Sequence, residues 1–107
     1  MIDGVQAVLD AVTEPGRRRI LDLLRDRERL VGELVDELGL AQPTVSKHLR
    51  VLRDAGLVEA RPDAQRRWYR VRPEPLQELD RWLEPYRQLW AQRLDDLERH
   101  LDQMEEP

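Results

Sequence analysis

The sequence predicts a mainly α-helical domain that carries one small two-stranded β-hairpin and ends in long helices. Three patterns predict it. Apolar residues recur at three- and four-residue spacing through most of the chain. Two short helical stretches are separated by one tight turn at Gly39. Directly after them, residues 57–71 switch to a β-prone pattern interrupted by Pro62-Asp63-Ala64-Gln65.

The elements follow in order. Residues 3–12 read as a short helix with Val5, Leu9 and Val12 on one side. Thr13-Glu14-Pro15 reads as a helix start, with a hydroxyl cap, an acid and a proline in the first turn. This second helix runs to about Asp26, with Ile20, Leu21, Leu23 and Leu24 inward and Arg17, Arg18 and Arg19 crowding its first turns. Residues 27–30 are a polar turn with room for one short extended piece. A third helix covers 31–38, with Val31, Leu34, Val35 and Leu38 inward, and Gly39 suits the left-handed position that ends it. Leu40 anchors the turn, and a fourth helix runs from Gln42 to about Ala55, with Pro43 in its first turn and Gly56 just past its end. Residues 31–55 thus form a helix-turn-helix, and the hairpin within 57–72 lies where a wing would. From Glu74 the tail carries Leu76, Leu79, Leu83, Tyr86, Trp90, Leu94, Leu97, Leu101 and Met104 as a nearly heptad stripe. Pro85 removes one backbone donor, which predicts two nearly continuous segments of about 74–84 and 85–104.

With 107 residues the chain is expected to be one domain, 1–107. Its 40% hydrophobic content is too periodic for disorder and too interrupted to span a bilayer. No basic stretch followed by an apolar one opens the sequence, so no secretory signal is expected and the reading is cytoplasmic. The absence of cysteine excludes disulfides, thiolate metal sites and cysteine nucleophiles. The net charge of −4 divides unevenly: −3 over residues 1–40, +5 over 41–72 and −6 over 73–107. A local positive segment attracts phosphates, because screening over about 10 Å weakens the influence of distant acids.

That basic segment is also the one with groove-compatible side chains. On a wheel of about 100° per residue, Val45, Leu49 and Leu52 of the fourth helix face a core. The opposite arc holds Pro43, Ser46, Lys47 and Arg50, with Gln42 and Thr44 in the first turn. Gln, Ser and Lys suit base edges, whereas Arg50 and Arg53 suit backbone phosphates. In the hairpin, Arg66, Arg67, Arg70 and Arg72 accompany Trp68 and Tyr69, with Arg66 and Arg67 nearest the tip. Arg67, Tyr69 and Val71 share one strand face and Trp68, Arg70 and Arg72 the other, and either face is able to pack on the helices. Taken singly, these are ordinary solvated positions; the turn, the hairpin and the local charge together favour double-stranded DNA as the partner.

Pro15-Gly16-Arg17-Arg18-Arg19-Ile20-Leu21-Asp22-Leu23-Leu24, with Val31-Gly32-Glu33-Leu34, resembles the ArsR family of bacterial winged-helix repressors. So do Gln42-Pro43-Thr44-Val45-Ser46-Lys47-His48-Leu49-Arg50-Val51-Leu52, Ala55-Gly56-Leu57-Val58 and the wing run Arg66-Arg67-Trp68-Tyr69-Arg70. The resemblance covers about residues 5–72, in register, and is most specific in the fourth helix. It implies a repressor that acts as a homodimer on a palindromic operator, with half-sites roughly 10 bp apart. It implies base-reading positions at Gln42, Ser46 and Lys47, with Pro43 and Thr44 beside them. It also implies dimerisation through helices 1–12 and 74–104, with Val5, Leu9, Leu76, Leu79, Leu83, Tyr86 and Trp90 at the interface. Three departures stand out. Ala41 replaces the usual Ser or Thr cap, the wing turn has Asp63-Ala64 instead of glycine, and Leu30-Val31-Gly32-Glu33-Leu34 lacks the cysteines of metal-sensing members.

No metal or other cofactor is expected. Only His48 and His100 offer imidazole; Asp96 and His100 stand one helical turn apart, but an exposed polar pair near the chain end is the plainer reading. His48 is read as a phosphate neighbour or a helix-packing residue. Trp82, Tyr86, Leu89 and Trp90 are read as dimer core in preference to an effector pocket, and the sequence identifies no small-molecule effector. No glycine-rich phosphate loop or catalytic triad pattern is present, so no enzyme is expected. The alternative function is a protein-interaction module that acts through its acidic helical tail without binding DNA.

Overall fold

In the computed structural model, residues 2–105 are described, with side chains from Gly4 onward. Met1, Glu106 and Pro107, which the single-domain reading includes, lie outside the described residues. The elements are α1 (Ile2–Val12), α2 (Pro15–Asp26), β1 (Arg29–Leu30), α3 (Val31–Leu38), α4 (Gln42–Asp54), β2 (Val58–Asp63), β3 (Arg66–Val71) and α5 (Glu74–Glu105).

Local chemistry accounts for the breaks between helices. Pro15 opens α2, and Glu14 rather than Thr13 is its cap: the Glu14 carboxylate accepts the Arg17 backbone N–H at 3.2 Å. The Thr13 hydroxyl instead donates to Asp10 O at 2.8 Å, at the end of α1. Arg17 and Arg18 do the same work from the far side of the corner. The Arg17 guanidinium donates to Asp10 O and Ala11 O, and that of Arg18 to Val12 O and Thr13 O. These four carbonyls have no partner within a helix that stops at Val12, which explains the use of Arg17 and Arg18 at this turn. At the start of α3, Leu30 offers no side-chain acceptor, but its N–H donates to Glu33 Oε1 at 2.9 Å, half of a capping box. Gly39 takes φ 67° and donates its N–H to Val35 O at 2.9 Å, ending α3 as expected.

The core lies where α1–α4 meet the sheet. Val8, Ala11, Ile20, Leu24, Leu34, Leu38, Val45, Leu49, Leu52, Leu57, Val58 and Tyr69 are buried there. Burying each large apolar side chain stabilises the fold by about 1.5–3 kcal/mol before chain entropy is counted. Val45, Leu49 and Leu52 fix the rotation of α4 and therefore decide which residues it turns outward.

The sheet has three strands in the order β1-β3-β2, all antiparallel, rather than the two expected. The extended piece at Arg29–Leu30 pairs with Tyr69 and Trp68, so the wing is stitched to the body at its base. Val58 stands opposite Val71 and Asp63 opposite Arg66, leaving a two-residue turn at Ala64-Gln65. Ala64 adopts φ 55°, a left-handed conformation that disfavours any side chain with a Cβ. The strand face with Tyr69 and Val71 packs on the core, which settles the orientation of the hairpin.

α5 is one continuous helix of 32 residues with Pro85 inside it, not the two segments expected. Pro85 removes only one backbone donor, and the apolar stripe keeps its phase across it. At 1.5 Å per residue the helix is about 48 Å long. It makes the molecule 71 × 31 × 21 Å, with a radius of gyration of 19.4 Å, against roughly 13 Å for a compact chain of this length. Near its start, Leu79 packs against the core. Farther along, Trp82, Tyr86, Leu89, Trp90, Leu94, Leu97, Leu101 and Met104 are exposed. No helix of the described residues is long and apolar enough to cross a membrane.

Candidate nucleic-acid interface

Gln42, Pro43, Thr44, Ser46, Lys47, Arg50 and Arg53 are all exposed on α4, on the side away from Val45, Leu49 and Leu52. The N-cap residue of α4, Ala41, makes no side-chain hydrogen bond, so the first N–H groups of this helix point outward without a side-chain acceptor. The helix therefore presents donors and a partial positive charge at the end where Gln42, Pro43 and Thr44 stand.

The wing divides the arginines into two sets. Arg66, Arg67 and Arg70 are all exposed. Arg70 stands directly across the ladder from Glu59 and donates to it at 2.6 Å. Arg66 donates to Asp63 at 3.4 Å and lies 5.7 Å from the centre of the Trp68 ring, whose Nε1 donates to the same carboxylate. Arg61 is held by Glu28 at 3.1 Å, and Arg72 lies 3.8 Å from both Glu59 and Glu74. Among the described residues, Lys47, Arg50, Arg53 and Arg67 have no hydrogen-bond or ion-pair partner.

Three of those four unpaired cations share one cleft. A cavity of about 560 Å³ between α4 and β3 is lined by Ser46, Arg50, Arg53, Asp54, Arg67 and Tyr69. A second, of about 230 Å³, joins Arg53 and Arg67 again, with Ala60 and Pro62. Tyr69 holds the strand against the core, and Arg67, two residues toward the tip on the same face, overhangs α4. Solvated cations without acid partners carry their whole charge outward, and only Asp54 offsets it in the cleft.

The expected dimer residues fall into two groups. Val5, Leu9, Leu79 and Leu83 are half-buried, where α5 packs along α1. Leu76, Tyr86 and Trp90 are exposed, and Trp90 keeps 65% of its surface in contact with solvent. Tyr86 lies 5.1 Å from Trp82, ring centre to ring centre.

His48 belongs to packing rather than to the exposed face. Its side chain is 14% exposed, and its Nε2 lies 3.3 Å from Glu14 Oε2. A helix start capped by Thr13 does not predict this contact; its one signal in the sequence is a histidine at the edge of the apolar arc of α4. At the other end of the chain, Asp96 is bonded by Arg99, and among the described residues no three His, Cys, Asp or Glu side chains converge as metal ligands. Arg27 bonds Glu33, which together with the Leu30 N–H holds the Glu33 carboxyl below the ordinary range of a glutamate.

Comparison with known proteins points the same way. The arsR family of bacterial regulatory proteins matches residues 14–60. The transcriptional repressor SdpR of Bacillus subtilis is 29% identical over 76 residues, covering 71% of this chain and 84% of that protein. Other curated bacterial relatives, 37–42% identical, are matched over 35–60% of their own length. Among solved structures, an ArsR-like transcriptional regulator from Rhodococcus sp. RHA1 superimposes with a TM-score of 0.73 at 26% identity, covering 92% of each chain. The homodimeric winged helix-turn-helix DNA-binding domain Mb0332 from Mycobacterium bovis does so with a TM-score of 0.66 at 33% identity, covering 81% of each.

Proposed function

Because the chain belongs to the ArsR family of bacterial regulatory proteins, whose members are transcriptional regulators rather than enzymes, we propose that it represses transcription by binding a palindromic operator as a homodimer. The observation that carries this reading is the set of unpaired cations, Lys47, Arg50, Arg53 and Arg67, gathered around the exposed face of α4 and the overhanging wing. Duplex DNA supplies the missing anions, and neutralising them releases condensed counterions.

The roles divide by position. Gln42, Ser46 and Lys47 enter the major groove and read base edges, with Pro43 and Thr44 setting the close approach at the helix start. Arg50 and Arg53 bind phosphates flanking the groove. Arg67 binds the next phosphates from the wing, while Arg66 and Arg70 shape the hairpin through their acid partners and contribute less. Two copies pair through α1 and α5, with Val5, Leu9, Leu76, Leu79, Leu83, Tyr86 and Trp90 at the contact. Covering the exposed stripe of α5 is the apolar reason to dimerise.

The direct test selects duplexes from a random pool with the purified protein and measures affinity for the winning sequence at two salt concentrations. An inverted repeat with half-sites about one helical turn apart, bound more weakly as salt rises, supports the proposal. Enrichment of nothing, or binding by a monomer, contradicts it.

A further inference from the structure

The corner between α1 and α2 meets α4 where Glu14, Gly16 and His48 come together. Glu14 Oε2 accepts the Arg17 backbone N–H at 3.2 Å and lies 3.3 Å from His48 Nε2, so a single carboxylate oxygen both caps α2 and lies against α4. Gly16 is buried between them. A Cβ on Gly16 would lie 2.8 Å from Glu14 Oε2, 2.9 Å from His48 Nε2 and 3.2 Å from His48 Cδ2. These separations are too short for a carbon atom, so glycine is the residue that lets the imidazole reach the carboxylate.

The same corner is tied to α1. The Arg17 and Arg18 side chains donate to the carbonyls of Asp10, Ala11, Val12 and Thr13. α1 in turn packs along α5. A continuous set of contacts therefore runs from the α1/α5 layer, through the corner, to His48. His48 lies one residue beyond Lys47 and two beyond Ser46, on the inner side of the same helical turn.

We propose that Glu14, Gly16 and His48 form a strut that fixes the recognition helix relative to the α1/α5 layer, so that His48 is a positioning residue for base reading and not a DNA contact. This rests on the DNA-binding reading above. In a two-fold dimer the separation of the two recognition helices is set by how each α4 sits on its own α1/α5 layer. A small shift at His48 moves the base-reading side chains of both protomers out of register with the half-sites. The phosphate contacts from Arg67 on the wing do not pass through this strut and are retained.

The test measures two affinities for each folded variant: for the duplex selected from a random pool, and for a scrambled duplex of the same length. His48→Leu keeps the buried volume and removes the imidazole nitrogen that faces Glu14. It is expected to melt cooperatively, to lose about tenfold on the selected duplex and to lose less than about threefold on the scrambled one, the size of one buried polar contact. His48→Gln, which restores an N–H near the same place, is expected to recover most of the discrimination. Gly16→Ala is expected to lose discrimination as His48→Leu does, and combining Gly16→Ala with His48→Ala, which removes the colliding ring, to be no worse than Gly16→Ala alone. The proposal is overturned if His48→Leu keeps full discrimination, if both affinities fall equally, or if the Gly16 and His48 losses multiply. A native chain that binds no duplex at all would refute the DNA reading and this one with it.

Discussion

The basic face of α4 and β3 and the far half of α5 are both exposed, yet they are exposed in opposite ways. On the first, Val45, Leu49, Leu52 and Tyr69 are turned inward, Pro43 and Val51 are the only apolar residues among the exposed positions of α4, and the rest are polar or cationic, four cations of this face being without an acid partner among the described residues. On the second, acids outnumber cations, and Arg87 is bonded to Asp80 and Glu84 and Arg99 to Asp96. Large apolar groups up to Trp90 and Met104 are left in solvent. A surface of unpaired cations is complementary to a polyanion, and a surface of unpaired apolar groups is complementary to another apolar surface. On the proposed reading the chain separates the two kinds of recognition, with DNA at one end and a second copy along the other.

The comparison breaks most severely at the apolar end. Replacing Trp90 or Leu97 by Glu puts a carboxylate in the dimer contact and is expected to raise the dimer dissociation constant by about a hundredfold or more. Sedimentation would detect this, and operator affinity would fall with it although no DNA-facing residue has changed. A dimer unaffected by both substitutions would remove α5 from the interface.

At the basic end the contrast lies within one strand. Arg67→Ala is expected to weaken all duplexes alike by about five- to tenfold and to reduce the slope of log K against log salt by about one per protomer. Arg70→Ala, which removes a side chain already bonded to Glu59, is expected to change affinity by less than about twofold. Equal losses from the two would mean that ion pairing does not decide which wing arginine meets phosphate.

Acid stability tests a smaller feature, the start of α3. Bonding to Arg27 and to the Leu30 N–H holds Glu33 in its charged form, so the folded-state pKa lies below the unfolded one. Stability from this group is present above the ordinary carboxylate range and is lost as pH falls through and below it. Part of the drop in melting temperature between pH 6 and pH 3 is expected to vanish in Glu33→Gln. An identical pH profile would show that the cap contributes nothing. The smallest effect is expected at the wing tip, where Ala64→Gly relieves a left-handed alanine and gains a few tenths of a kcal/mol, net of the added freedom of the unfolded chain.

Much of this was legible in the sequence. Gly39, Pro43 and Gly56 mark the boundaries of α3 and α4 because each residue type has a single backbone use there, and Val45, Leu49 and Leu52 fix the outward arc by periodicity alone. What was not legible depends on partners distant in sequence. Arg29–Leu30 is too short to carry a strand signal and becomes β1 only because β3 lies beside it. Arg66, Arg67 and Arg70 look alike in a string, and only the ladder, which places Glu59 across from Arg70 and Asp63 across from Arg66, tells them apart. Glu14 and His48 are separated by two helices, and no local pattern links them. The local effect of Pro85 predicts a break, whereas one missing hydrogen bond is a small perturbation in a helix of this length.

The most direct measurement is the salt dependence of binding to the selected duplex. If the unpaired cations of two protomers meet phosphate, with Lys47 divided between phosphate and base, the slope of log K against log salt lies between about −5 and −7. A slope shallower than about −3, or no binding at low salt, would contradict the assignment of this face to DNA.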